Sequence, residues 1–312
     1  MADSEKRKVL FIVNPISGSN QKYRLTDEIT RICEKHHLIA EFFKTTGEND
    51  KQKISKAIEK HAPDVVTAVG GDGTVNMVAG LLKNTGIKLA ILPTGSANGM
   101  AYELNIPTNM DSAIGIIARN VSKRIDLLMI NNQHLAVHLS DLGMNARIIK
   151  RFDREKIRGI YGYSRQFFKE LKSPSKFKCI VQYKDRHPRK YKAVMVVMLN
   201  THYFGTGAMV NPVGKIDDGK FEIVVIKPYP WYYIFRMFLA FFSGRIHRLR
   251  HIRIISCSYA KITVTPPQDL QIDGEPTGEI RNIEIENIPK AVDVIYNDRQ
   301  EHLLFKPSRI LK

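Results

Sequence analysis

The sequence predicts an α/β domain followed by an all-β domain, and three observations carry that prediction. In the first third of its 312 residues, short apolar runs alternate with stretches whose apolar positions recur at helical spacing. From about residue 124 onward the apolar runs are instead joined by turns. Gly-, Ser-, Thr- and Asn-rich turns also follow the early runs directly, where strand-to-helix loops of a parallel sheet belong. We place the boundary near Asp126, so that residues 1–126, with the carboxy-terminal segment 297–312 returning to them, form the α/β domain and residues 127–296 an antiparallel β-sandwich.

The elements read in order as follows. KVLFIV leads through NPISGSN to a helix with Leu25, Ile29, Ile32 and Cys33 on one face. IAEFF leads through KTTGEND to Ile54, Ala57 and Ile58, and DVVTAV through GGDGT to Val75, Val78, Ala79 and Leu82. KLAIL leads through PTGSANG to a further short helix. After RIDLLMIN the runs FKCIVQY, KAVMVVML, KFEIVVI, AKITVT and IEIENI read as strands, punctuated by NNQ, KDRHPRK, DDGK and TPPQD.

Composition removes several classes. No window approaches a spanning helix, and the apolar part of the amino end is far too short for a secretory signal, so a cytoplasmic protein is expected. Cys33, Cys179 and Cys257 are odd in number and scattered, which reads as reduced and structural. The histidines show no metal-ligand pattern. A formal charge of +17 calls for an anionic partner, whether nucleic acid, an acidic membrane or a polyphosphate. The basic stretches 147–159, 176–192 and 244–253 carry no nucleic-acid-binding signature, and no nucleic acid is expected.

The four glycine-type turns would gather at the carboxyl edge of the sheet, where backbone N–H groups can approach phosphates. Each turn alone is equally well explained as ordinary strand-to-helix chemistry, and Asp72 in GGDGT as a helix cap. Neither the G-x-G-x-x-G fingerprint nor the G-x-x-x-x-G-K-[ST] loop is present, which argues against a dinucleotide oxidoreductase and a P-loop NTPase. A carboxylate among phosphate-seeking amides should repel phosphate unless something cationic stands between them.

GGDGTVN (70–76), with NPISG (14–18) before it and PTGSAN (93–98) after it, resembles the diacylglycerol kinase catalytic family of lipid kinases. NTHYFGTGAMVNP, KIDDGKFEI and QIDGEP extend the resemblance to the bacterial branch over nearly the whole chain. The resemblance implies an NAD kinase-like α/β domain that binds ATP and a β-sandwich that works on lipid, with lipid approaching the cleft between the two. It implies a nucleotide site of Asn14, Pro15, Ile16, Ser17, Gly18, Thr45, Gly71, Asp72, Gly73, Thr74, Val75, Asn76 and Ser96. It makes Glu275 the general base, with Asp72 organising Mg²⁺ and phosphates. It also implies a structural Mg²⁺ held by Asp218 and the carbonyls of Lys215 and Lys220, with Asp217 a further candidate. From the residues alone, IDGEP reads as a turn with solvated acids, and the Asp217-Asp218 pair as either a turn or a hard-cation site completed by backbone carbonyls.

The activity so implied is transfer of the ATP γ-phosphoryl group to a membrane-lipid hydroxyl, diacylglycerol giving phosphatidic acid. Two departures matter: Ser19 stands where the family often has lysine, and Gly95-Ser96-Ala97-Asn98-Gly99 looks closer to sphingosine and ceramide kinases. A sphingoid-base or ceramide kinase is therefore the alternative, followed by an NAD kinase, which shares GGDGT, and a non-catalytic anion-binding module. Analogy alone raises a homodimer through the amino-terminal domain. Finally, PWYYIFRMFLAFFSGRIHRLRHIR (230–253) sets aromatics ahead of arginines. It reads as a helix packed on the sandwich, as a helix lying on the inner, anionic membrane face, or as both if only one face is buried.

Overall fold

The computed structural model describes residues 6–15, 24–143, 146, 174–183, 187–204 and 208–299. They group into two units, one running to Ile125 and resuming at Lys290, the other running from Asp126 to Pro289.

The first unit contains β1 (Lys8–Val13), α1 (Leu25–Lys35), β2 (Ile39–Lys44), α2 (Asp50–His61), β3 (Val65–Gly70), α3 (Asp72–Leu82), β4 (Lys88–Pro93), α4 (Gly99–Glu103) and α5 (Met110–Arg119). The strands lie side by side in the order β2-β1-β3-β4, all parallel, and Val294 adds a further parallel strand opposite Leu89. Burial explains the apolar runs: β3 is buried at every position, and β2, at the edge, is only half-buried. The helices cover the sheet through the stripes their spacing predicts, Ile29, Ile32 and Cys33 on α1 and Val75, Val78, Ala79 and Leu82 on α3.

β5 (Ser122–Ile130) leads into the second unit. There follow β6 (His134–Ala136), β7 (Leu139–Gly143), β8 (Phe177–Tyr183), β9 (Arg189–Ala193), β10 (Met195–Leu199), β11 (Tyr203–Phe204), β12 (Ala208–Met209), β13 (Phe221–Ile226), α6 (Tyr233–Phe242), β14 (Ile252–Cys257), β15 (Tyr259–Ile272) and β16 (Glu275–Ile295). The path β14-β13-β10-β7-β15-β16 is antiparallel in its assigned pairings, and β8 shares β15 with β7 at a different part of its length. β10 reads as an unbroken apolar run, and β13 as one broken only by Glu222, because both of their faces are covered. Val196, Met198, Ile223 and Val225 pack with β8 and β15, while Val197, Leu199, Val224 and Ile226 pack under Tyr233, Met237 and Ala240 of α6.

One expected turn is absent. TPPQD lies inside β15, whose pairing with β16 shifts register between Thr263 and Gln268. Pro266 and Pro267 fall within that irregularity, where no ladder donor is required, so the strand passes through them. The three cysteines are free and buried, and burial pushes the Cys33 and Cys179 thiols up to about 12, which leaves them unreactive near neutral pH. Among the described residues, no helix is long and apolar enough to cross a membrane.

Candidate active site

In the first unit, the expected turns emerge beside one another because parallel pairing aligns the strand ends: Val13 stands opposite Lys44 and Val69, and Gly70 opposite Pro93. Backbone bonds continue this alignment past the strands, from Asn14 N to Val69 O (3.1 Å), Thr45 N to Val13 O (2.9 Å) and Thr94 N to Gly70 O (3.1 Å). Asn14 also donates its side-chain amide to Thr74 Oγ1 (3.2 Å), tying the first turn to the start of α3.

The β3 and β4 turns touch through bare glycine backbones. A Cβ on Gly95 would lie 2.9 Å from Gly71 N, whereas a Cβ on Gly71 would meet Gly95 Cα at an ordinary 3.4 Å. Gly95→Ala is therefore expected to cost about 1–3 kcal/mol, the usual range for overpacking, and Gly71→Ala clearly less; parallel urea titrations of the two variants check the asymmetry.

Asp72, the first residue of α3, reaches across to the β4 turn, where Oδ2 accepts from Gly99 N (2.9 Å) and Oδ1 from Met100 N (3.0 Å). It caps α4, a helix it does not belong to, because Asn98 turns its own side chain back on Gly95 N (3.0 Å) and O (2.8 Å). Each carboxylate oxygen keeps a second lone pair, so Asp72 suits a hard cation or its bound water as well as the cap. The amides of Asp72 and Gly73 have no carbonyl one turn back, and that leaves two donors at the positive end of α3. Ser96 is exposed at the tip of the neighbouring turn.

Other expected members are placed differently. Val75 is buried in α3 and its N–H is bonded to Gly71 O (3.1 Å), so it packs the core. The amides of Thr46 and Gly47 are bonded to Asp50 (both 2.8 Å), which closes KTTGEND on its own carboxylate and removes two donors from the expected phosphate turns. Thr45 is buried beside Val13. Pro15 follows β1, Asn76 lies in α3, and Ile16, Ser17 and Gly18 lie outside the described residues.

In the second unit, Glu275 opens β16 opposite Ile272, across a two-residue hairpin in which Asp273 (φ 47°) and Gly274 (φ 90°) both have positive φ. Asp-Gly is the pair that such a tight turn favours. Glu275 is exposed, but Asp273 is buried and accepts from Val137 N (2.8 Å), His138 N (3.0 Å) and Leu139 N (2.8 Å). Gln271 supports the same turn by accepting from Gly274 N (2.6 Å) and donating to buried Asp141.

The DDGK loop is anchored by a residue sequence reasoning missed. Buried Asp126 accepts from Gly219 N (2.7 Å) and from Asn287 Nδ2 (3.3 Å), and Asn287 also donates to Lys220 O (3.1 Å). An acid inside the apolar run RIDLLM was the available signal. Asp217 and Asp218 are exposed, and Asp218 accepts from Lys220 N (3.1 Å). Among the described residues no group of three or more His, Cys, Asp or Glu side chains could hold a metal, so a cation here would draw on main-chain oxygens. Asp218 with the Lys215 and Lys220 carbonyls is an all-oxygen donor set of the kind magnesium takes. Nearby, burial holds the Glu222 carboxyl above the usual carboxylate range, and the charge of Asp218 adds to the effect.

A parallel sheet with glycine turns gathered on one edge, followed in the chain by an antiparallel β unit, is a fold shared with solved structures of a diacylglycerol kinase and an NAD kinase. Residues 8–130 match the diacylglycerol kinase catalytic domain and residues 140–296 the YegS C-terminal NAD kinase beta sandwich-like domain. The chain belongs to this lipid kinase-like family, and so to the phosphotransferases. It is 26% identical to a "probable lipid kinase YegS-like" of Yersinia enterocolitica over 80% of this chain and 84% of that protein. Its fold is similar to that of a diacylglycerol kinase from Bacillus anthracis (TM-score 0.71, 21% identity, 95% and 98% of the two chains). It is also similar to an NAD kinase from Archaeoglobus fulgidus in complex with ATP (TM-score 0.53, 11% identity, 93% and 94% of the two chains).

Proposed function

We propose that this chain is an ATP- and Mg²⁺-dependent lipid kinase that converts diacylglycerol to phosphatidic acid. The observation that carries the reading is Asp72, which joins two glycine turns while keeping lone pairs at the positive end of α3. In this reading the phosphates lie against the α3 amides and the Asn14, Gly71–Asn76 and Ser96 turns, with Asp72 orienting the divalent cation. Magnesium, when bound, supplies charge neutralisation on the phosphates. Glu275 takes the proton of the acceptor hydroxyl, whose oxygen forms a bond to the γ-phosphorus as the bond to the bridging oxygen breaks and ADP leaves. Asp218, the carbonyls of Lys215 and Lys220, and Asp217 as a further donor would hold a second, structural cation that fixes the loop preceding β13.

A sphingoid or ceramide acceptor is the second reading, favoured by Ser96 and by Gly99 in the position where diacylglycerol kinases often have aspartate. The test is incubation with γ-labelled ATP and Mg²⁺ and, separately, diacylglycerol, sphingoid base, ceramide and NAD. Label in phosphatidic acid is expected. Label in a sphingolipid moves the assignment to the second reading, and label in NADP, or in no product, overturns the lipid kinase reading.

A further inference from the structure

α6 buries one apolar face and leaves a second one exposed. Tyr233, Met237 and Ala240 recur at i, i+4 and i+7 and are buried against β10 and β13. Phe235, Phe238 and Leu239 of the helix, with Trp231 and Tyr232 just before it, are exposed, Trp231 at 70% and Phe235 at 71%. A cluster of large apolar side chains in water is costly and marks an interaction surface rather than ordinary surface scatter.

Charge identifies the occupant. Between Glu222 and Asp269 the chain contains no acidic residue, yet Arg236, Arg245, Arg248 and Arg250 are all exposed there. Arg236 and Arg250 both bracket the Tyr233 ring, at 5.9 and 6.0 Å, so cationic groups flank the helix between its buried and exposed faces. The helix ends at Phe242, and Arg245 and Arg248 follow in the next turn, around the short 3-10 segment Ile246–Arg248. Aromatic and leucine side chains on one face with guanidinium groups at its borders fit the interfacial zone of an anionic bilayer. There the apolar groups enter the acyl boundary and the arginines stay among phosphate headgroups. A protein partner would need an acidic rim around an aromatic groove, and a second copy of this chain would bring the same arginines face to face.

We infer that the exposed face of α6 is a membrane dock that inserts Trp231, Phe235 and Phe238 into the interface of an anionic lipid bilayer. The dock needs neither nucleotide nor acceptor, so its failure and that of the kinase reading are distinguishable. Trp231 is the only tryptophan in the chain and reports insertion directly. Its emission is to be recorded with vesicles of phosphatidylcholine, with and without phosphatidylglycerol, at low and high salt, and with brominated acyl chains as quenchers. A blue shift and quenching on anionic vesicles, reversed by salt, are expected. The double variant Phe235→Ser, Phe238→Ser should weaken vesicle binding about tenfold or more with an unchanged far-ultraviolet circular dichroism spectrum, and Arg245→Gln with Arg248→Gln should remove the preference for anionic lipid. An emission spectrum indifferent to vesicles, or binding unaltered by both variants, overturns the dock. So does a blue shift that appears on concentrating the protein without lipid together with a dimer in sedimentation, which would assign the face to a second copy.

Discussion

Asp273→Ala is expected to destabilise the chain by about 3–5 kcal/mol, because it leaves three buried N–H groups without acceptors at about 1–3 kcal/mol each. The amides of Val137 and His138, between β6 and β7, and of Leu139, the first residue of β7, converge on this one carboxylate, and Asp273 N returns a bond to Leu139 O (2.9 Å). Asp273 also holds the first left-handed position of the hairpin, at φ 47°, which alanine tolerates poorly. Asp273→Asn keeps one acceptor oxygen and much of the tolerance for positive φ, so it should lose about half as much. Urea unfolding of both variants checks the order, and an alanine variant within about 0.5 kcal/mol of the parent would show that the carboxylate is not the anchor.

This anchor also marks the limit of what sequence patterns can carry. The α/β unit was legible because its strands are buried on both faces and its helices on one, so DVVTAV and the α3 stripe carry their environment in local periodicity. The hairpin at Asp273-Gly274 was legible because positive φ restricts the residues that fit there. Partners far apart in the chain leave no such local trace. Asp273 binds amides 134 to 136 residues away, and Asp126 binds Gly219 at 93. The polar groups that hold the two acidic loops in place were therefore invisible except as isolated acids in apolar surroundings. KTTGEND differs, since the partner is local: its composition offers amides to an anion, but Asp50, the last residue of the same stretch, already accepts from Thr46 and Gly47. Val75 carries a motif position and a core position at once, and packing decides where its side chain goes. α5 was passed over although Asn109 caps it through Ser112 N and Asn120 closes it at φ 58°, because short caps stand out less than a glycine turn.

Glu275→Gln is expected to lower kcat by about 10²- to 10⁴-fold, the usual contribution of a positioned general base, with little change in stability. The second half of that expectation follows from the turn itself. Glu275 and Asp273 are two residues apart, but Asp273 is buried on three amides while Glu275 is exposed at the strand start. Glutamine keeps the size and the backbone pairing with Ile272 and removes only the basic oxygen. Asp72→Ala makes the contrast, since it strips the acceptor from Gly99 N and Met100 N as well as a candidate cation ligand, and so should lower stability and turnover together. Initial rates on the acceptor identified by the labelling experiment, measured beside urea midpoints for both variants, separate the two behaviours. Near-parental turnover for Glu275→Gln would remove Glu275 as the base, whatever the lipid. A joint loss of stability and rate at Glu275 would instead make its effect structural, the outcome the exposed position argues against.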